Sequence, residues 1–400
     1  MTHSVFDPVR LADMTLKNRV VRSATHEGMA DEHGFPTESL KKLYVRMAKG
    51  EVGAIITGFA GVRADGRCVE PGMSMIDDDR SIPHYKELTD GVHAFGTPII
   101  LQIAHCGRQT RSKVTGFPTV APSALRDGFF REDLPVALSA DGIKEIIDCF
   151  VSAVARAKEA GFDGVQLHLA HGYLLSEFLS SHSNRRKDEW GGSTENKFRI
   201  VEQIFERVKD RVGDFPILAK INAHDSRKNG MRVKEAVEIA RLLEKSGCAA
   251  IEVSCGTAED GLYFMRTKEL PIDPILQYMP LFKKMPGLLK AVAKPLARKL
   301  IRQPKPLVKY NVDAALEIKK SVRIPVGVVG GISNLAEIKS IVEDHSLDFA
   351  SMSRAFIIEP DIVGKFKKGA QVQSKCIKCG YCAVIGEERP LKCYYGRMPS

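Results

Sequence analysis

Two imidazoles and a phenol fall within one short run: His168, His171 and Tyr173 in LHLAHGY, residues 167–173. Imidazoles can hydrogen-bond a substrate oxygen as negative charge builds on it, and a phenol can donate a proton. Singly, each could equally be a satisfied structural histidine or a packing tyrosine. Together they sit where an alternating apolar run gives way to a polar loop, and loops held on a rigid scaffold tend to carry function. A second chemistry-bearing set ends the chain: Cys376, Cys379 and Cys382 form CxxCxxC, and Cys393 follows. Four thiolates so spaced suit an iron–sulfur cluster or a tetrahedral zinc, and spacing alone does not decide between them. Cys68, Cys106, Cys149, Cys248 and Cys255 are scattered.

The rings need a strand to hold them. Val165, Leu167 and Leu169 alternate with Gln166 and His168, so a strand over 163–169 is predicted. Apolar runs at 18–23, 52–58, 98–103, 216–221, 249–253, 324–329 and 347–352 predict seven more. Helical patterns alternate with them at 38–49, 83–95, 141–160, 194–211 (with Thr194 as cap), 233–246, 312–321, 334–343 and 360–368. Eight strand–helix pairs imply an α/β fold, a closed (β/α)8 TIM barrel. An open doubly wound sheet is the alternative, but no GxGxxG follows the first strand. The barrel is expected over 1–370 and a cysteine-rich segment over 371–400. Residues 105–139 read as loop.

One segment breaks the rhythm: 256–310, after the sixth strand, is too long for an ordinary connection. Leu281, Met285, Leu288, Leu289, Val292, Leu296, Leu300 and Ile301 can share a helical face there. Lys283, Lys284, Lys290, Lys294, Arg298, Lys299 and Arg302 surround it, with Pro286 and Pro295 expected to break it. A lid over the barrel mouth, a peripheral contact of 281–303 with an anionic membrane, and a solvated excursion all suit this pattern. The net charge of +10 fits an acidic partner, a phosphorylated ligand or an anionic surface, and nothing points to nucleic acid. No window approaches about 20 apolar residues, so no transmembrane segment is expected. The first residues lack an apolar run of signal-peptide length, so a cytoplasmic location is expected, with thiols reduced.

The run HxxHGYLLxxFLS, followed by SNxRxDxxGGSxEN, resembles the signature of the old yellow enzyme family of FMN-dependent ene-reductases. The resemblance implies FMN at the C-terminal ends of the strands. The turn Ser23-Ala24-Thr25 would lie against the flavin, with Ala24 where the family has Pro. Ala60 belongs to a small-residue turn that lets the ring approach backbone. Gln102 matches the residue on the pyrimidine edge. Lys220 stands where the family has a cation, usually Arg, beside flavin N1; Lys lacks the bidentate fork. Gly330, Gly331, Ser353 and Arg354 fall at the phosphate site after the last two strands, with Ser353 where the family has Gly. His168 and His171 would bind the carbonyl oxygen of an α,β-unsaturated carbonyl or enoyl substrate, and Tyr173 would protonate its α-carbon.

The cysteine spacing resembles the branch containing 2,4-dienoyl-CoA reductase, enoate reductase and trimethylamine dehydrogenase. There a [4Fe–4S] cluster on four cysteines, here Cys376, Cys379, Cys382 and Cys393, relays electrons to FMN. Those proteins continue into an FAD- and NAD-binding domain, which is not present up to Ser400. The expectation is therefore a separate donor protein such as reduced ferredoxin, or direct hydride from NAD(P)H. A homo-oligomer is expected. Rival readings are amine or alcohol oxidation of the trimethylamine dehydrogenase type, a non-catalytic electron-transfer subunit, and a flavin-free barrel for a phosphorylated sugar.

Overall fold

Eight short apolar runs form parallel strands: β1 (Val20–Arg22), β2 (Ala54–Ile56), β3 (Ile99–Ala104), β4 (Gly164–Leu169), β5 (Ile217–Asn222), β6 (Ile251–Ser254), β7 (Val326–Val329) and β8 (Phe349–Met352). In this computed structural model, which describes residues 3–301, 303–386 and 388–398, each strand pairs with its successor. The pairing of β8 with β1 completes the ring, so the sheet is a closed barrel. Register aligns Gln102 with Gln166, His168 with Lys220, and Lys220 with Glu252. Because side chains alternate across a strand, these pairings gather polar residues in layers at one end of the barrel.

The helices are α1 (Glu38–Lys49), α2 (Ser81–His93), α3 (Ala140–Glu159), α4 (Thr194–Val212), α5 (Val233–Lys245), α6 (Val312–Lys319), α7 (Leu335–Lys339) and α8 (Ile362–Lys367). On α3, Ile143, Ile146, Ile147, Phe150, Val151 and Val154 recur at helical spacing and are all buried. Each such side chain contributes about 1.5–3 kcal/mol relative to exposure. The cap of α4 is Ser193 rather than the expected Thr194: Ser193 Oγ accepts from Asn196 N at 3.2 Å. Thr194 Oγ1 is engaged elsewhere, donating to Glu238 Oε2 at 2.9 Å and so tying α4 to α5.

A hairpin, Val9–Leu11 with Met14–Leu16, was not predicted. Val9, Leu11, Met14 and Leu16 pack against Val21, Ile56, Ile100 and Phe349. Residues 105–139, read as loop, carry a short helix, Ser112–Thr115, and a two-residue parallel pair, Val120–Ala121 with Val136–Ala137.

The insertion holds helices Ile272–Tyr278, Pro280–Lys283 and Gly287–Leu300. Pro286 interrupts it as expected, but Pro295 lies inside the last helix. Pro295 and Ala291 are both exposed, so water can serve the carbonyl that the missing N–H leaves unpaired. Arg302 and the side chains of Leu281 and Leu300 lie outside the described residues. The C-terminal segment crosses back over the barrel. Ser374 N donates to Ser333 O, Lys268 N to Lys378 O, and Leu391 N to Glu27 O, at 2.8, 2.9 and 2.7 Å. Tyr278 of the insertion packs with Ile385 and Tyr394 of this segment. Among the described residues no helix is long and apolar enough to cross a membrane.

Candidate active site

A cavity of about 290 Å³ opens where the strands β1, β3, β4, β5 and β8 end. His168, His171 and Tyr173 line one wall. The ring of His168 meets His171 at 5.0 Å and Tyr173 at 4.8 Å, both edge-on. Ala170 N donates to His168 Nδ1 at 3.3 Å, so the ring proton sits on Nε2. His171 takes φ 65°, an unusual value for a residue with a side chain, at the turn leaving β4. Its backbone is held there by Asn222 Oδ1, which accepts from His171 N at 3.2 Å, and by Gln109 Nε2, which donates to His171 O at 3.0 Å. Its Nε2 meets Ser254 Oγ at 2.8 Å.

Burial lowers both imidazoles. His171 is pushed down to about 3 by burial and then by Lys220. His168 falls well below its ordinary value by burial, then by His171 and Lys220. Both rings are neutral at pH 7 and act as hydrogen-bond donors rather than cations. Tyr173 is pushed well above the usual phenol value by burial, then by Cys106, Glu70 and Cys68, so it keeps its proton.

Beneath this wall runs a buried polar chain that the sequence reading half found. Lys220 Nζ lies 3.2 Å from Glu252 Oε2 and donates to Ser23 Oγ at 2.9 Å. Gln166 Nε2 donates to Glu252 Oε2 at 3.1 Å, and Gln102 Nε2 donates to Gln166 Oε1 at 2.7 Å. The carboxylate only accepts, which fixes the Gln166 amide and then the Gln102 amide; Gln102 keeps one N–H and its carbonyl for the cavity. Burial alone would raise Glu252, but the Lys220 ammonium and the hydrogen bonds of neighbouring side chains, Gln166 among them, together outweigh it and hold it below the usual carboxylate range. Burial lowers Lys220, and Glu252 opposes that. Glu252 and Gln166 were missed. The available signal was a carboxylate inside an apolar strand, Ile251-Glu252-Val253, which needs a buried partner.

The loop after β1 is locked from behind. Arg22 Nη2 and Tyr44 OH donate to Glu27 Oε1 at 2.5 and 2.6 Å, which fixes Ala24, Thr25 and His26 on the rim. His26 also lines the cavity, and its buried Nε2 has no partner. Ser351 Oγ is likewise buried, unpartnered and on the lining. Thr25 Oγ1 meets Ser353 Oγ at 2.8 Å.

The other end of the cavity is cationic. Gly331, Ser333, Ser353, Arg354 and Lys378 line it. Arg354 Nη1 donates to Arg266 O at 3.0 Å, Lys378 Nζ donates to Ser333 Oγ at 2.6 Å, and neither cation pairs with a carboxylate among the described residues. Lys378 was not expected at the cavity, because it belongs to the cysteine segment. Gly331 takes φ 71°, and a Cβ there would run into the Leu307 carbonyl, so close chain packing also requires glycine. Gly330 and Ala60 do not line the cavity; Ala60 pairs with Ile103 in a short strand. Unpartnered polar atoms, the amide face of Gln102, the Lys220–Glu252 pair and the cationic end together fit FMN: a hydrogen-bonding ring at one end and a phosphate at the other.

The insertion and the cysteine segment complete the walls. Phe264 stacks on His171 at 5.1 Å, and Met265 and Tyr310 stand beside it. Cys376 and Cys382 line the same cavity, whereas Cys379 and Cys393 do not. Burial pushes the Cys382 thiol up to about 12; Arg354 opposes this, and Cys376, Cys379 and Cys393 add to it. The four thiols thus feel one another's charge. Among the described residues, however, no three His, Cys, Asp or Glu side chains converge as a ready-made metal site.

The profile of the NADH:flavin oxidoreductase / NADH oxidase family matches residues 4–258. An NADH oxidase of Thermoanaerobacter brockii is 34% identical over 395 residues, covering 96% of this chain and 54% of that protein. The chain therefore spans about half the length of that relative. An NADPH dehydrogenase of Listeria welshimeri is 36% identical over 357 residues, covering 89% of this chain and 92% of that one. Among solved structures, the old yellow enzyme homologue from Zymomonas mobilis superposes with a TM-score of 0.75 at 25% identity, covering 100% of both chains.

Proposed function

Because the chain belongs to the NADH:flavin oxidoreductase / NADH oxidase family, we propose that it is an FMN-dependent oxidoreductase that reduces the activated C=C bond of an α,β-unsaturated carbonyl or enoyl substrate. The observation that carries this reading is the wall formed by His168, His171 and Tyr173: two neutral imidazoles and a protonated phenol side by side. Bound FMN supplies the hydride. His168 Nε2–H and the His171 ring hold the substrate's carbonyl oxygen and stabilise charge that collects on it. Tyr173 delivers the proton to the α-carbon. Gln102 and Lys220 hold the ring of the cofactor, while Arg354, Lys378 and the Gly331 loop hold its phosphate.

We assign Cys376, Cys379, Cys382 and Cys393 to a [4Fe–4S] cluster on the strength of donor type, CxxCxxC spacing and the contact of Cys376 and Cys382 with the cavity. A ligand set that closes only around its metal is ordinary for thiolate sites. Electrons would enter from NAD(P)H or from a protein such as reduced ferredoxin. The test is to purify the chain anaerobically, measure flavin and reduce cyclohexenone with dithionite as donor. Stoichiometric FMN with turnover is expected; a protein that takes up no FMN refutes the proposal, and FMN without turnover refutes the ene-reductase part.

A further inference from the structure

The insertion carries an apolar face that the other described residues do not cover. On the helix Gly287–Leu300, Leu288, Leu289, Val292 and Leu296 are 80%, 55%, 63% and 54% exposed. At 3.6 residues per turn they fall within one arc of about 100°. The opposite face is pinned down: Lys294 and Arg298 reach Asp273 at 2.5 and 3.5 Å. The stripe therefore points away from the protein by construction. Exposed leucines in a contiguous row mark an interaction surface.

The unpaired charge around the stripe is positive. No Asp or Glu lies between Asp273 and Asp313. Lys284, Lys299 and Lys305 are exposed and pair with no carboxylate among the described residues. A second copy of this chain docking stripe to stripe would bring these cations together with no acid to meet them. An apolar row on a single convex helix, with unpaired cations beside it and its neighbouring acids Asp273 and Glu388 already engaged by Lys294, Arg298 and Lys283, matches the requirements of an anionic lipid surface. The aliphatic side chains enter the acyl boundary, and the lysines meet the headgroups. We infer that the helix Gly287–Leu300 docks the protein on anionic membrane surfaces. The same insertion supplies Phe264 and Met265 to the cavity wall, so docking brings the active site alongside lipid.

The test is co-sedimentation of the purified full chain with vesicles of phosphatidylglycerol and phosphatidylcholine, against phosphatidylcholine alone. Binding to the anionic vesicles only is expected, weakened by salt. The triple variant Leu288→Asp, Val292→Asp, Leu296→Asp should lose at least about tenfold in partitioning, with unchanged thermal melting because the residues are exposed. As a second measurement, Val292→Trp should show a blue-shifted emission on anionic vesicles; the chain's one tryptophan, Trp190, is buried and stays silent. Failure of the wild type to bind, full binding by the triple variant, or no shift at Val292→Trp overturns the inference. So does a dimer in light scattering that the triple variant dissolves, since the stripe would then belong to a second copy.

Discussion

Glu252→Ala is the perturbation that most directly probes how the cavity floor is held. In the wild type the Lys220 and Glu252 side chains are 2% and 0% exposed and 3.2 Å apart. Removing the carboxylate leaves the ammonium buried without its counter-charge and strips the acceptor from Gln166 Nε2. Breaking a buried pair from one side costs about 3–5 kcal/mol. Glu252→Gln keeps the shape and one acceptor, so its cost should lie nearer the roughly 1–3 kcal/mol of an imperfectly satisfied buried group. Replacing both partners, Glu252→Gln with Lys220→Met, should restore much of the loss, because the double change removes the stranded charge. The pH dependence has a definite sign. A buried lysine with a lowered pKa binds fewer protons folded than unfolded, so stability rises with pH between its folded value and the ordinary one. Losing Glu252 deepens that lowering, so Glu252→Gln should gain more stability than wild type as pH rises from neutrality. The assay is urea unfolding of wild type, Glu252→Ala, Glu252→Gln, Lys220→Met and the double variant across pH. Additive single costs, with no coupling between the two sites, would refute the pair.

Tyr173→Phe should slow substrate reduction by about 10²–10⁴ while leaving reduction of the flavin by its donor unchanged; equal, slight effects on both half-reactions would assign the proton to another source. Burial raises Glu177 to about 8, with Asp127 and Glu259 adding to it and Arg108 opposing. The folded protein thus keeps a proton that the unfolded chain loses, so stability should fall as pH climbs from about 4.5 to 8, and Glu177→Gln should flatten that fall in melting curves. Arg354→Ala and Lys378→Ala should weaken FMN far more than riboflavin in fluorescence titrations, because they address the phosphate; equal losses would move the phosphate elsewhere. Cys379→Ser should lower bound iron and slow electron entry from reduced ferredoxin, and zinc at one per chain in the wild type would remove the cluster.

The barrel was legible because its signal is periodic: Ile143, Ile146, Ile147 and Phe150 announce a face of α3 from spacing alone, and the structure buries all four. Short apolar runs mark where each strand stops, and the family resemblance singled out Gln102 and Lys220 at two of those ends; with His168 they line the cavity. What spacing cannot carry is pairing across the barrel. Glu252 looks like one acid in an apolar strand until register places it opposite Lys220. His26 stood beside the expected turn, but only the fold shows its Nε2 unpartnered on the cavity wall. Lys378 was hidden because its segment reads as a metal motif, although the chain brings it back over the β7 loop to Ser333. Ala60 went the other way: a small residue after a strand, absorbed by a short pairing with Ile103.

The resting protonation state of the wall suits the proposed reduction, in which Tyr173 begins as the phenol. Glu70 is the one carboxylate among the cavity's lining residues, and it acts on Tyr173 with burial and Cys106 to keep the phenol protonated. A group held protonated starts the reductive step in the form that carries the proton to be transferred. Desaturation of a substrate would ask Tyr173 to begin as phenolate, in a pocket where two neutral imidazoles offer that anion no compensating charge. Reduction asks it to begin as the phenol the pocket already favours, and the anion it leaves is neutralised once solvent returns the proton. The Lys220–Glu252 pair adds to this bias, since an ammonium matched by its own carboxylate leaves the cavity floor close to neutral. Charge that appears on the substrate oxygen is then met by the dipoles of His168 and His171, which are already oriented and cost no reorganisation.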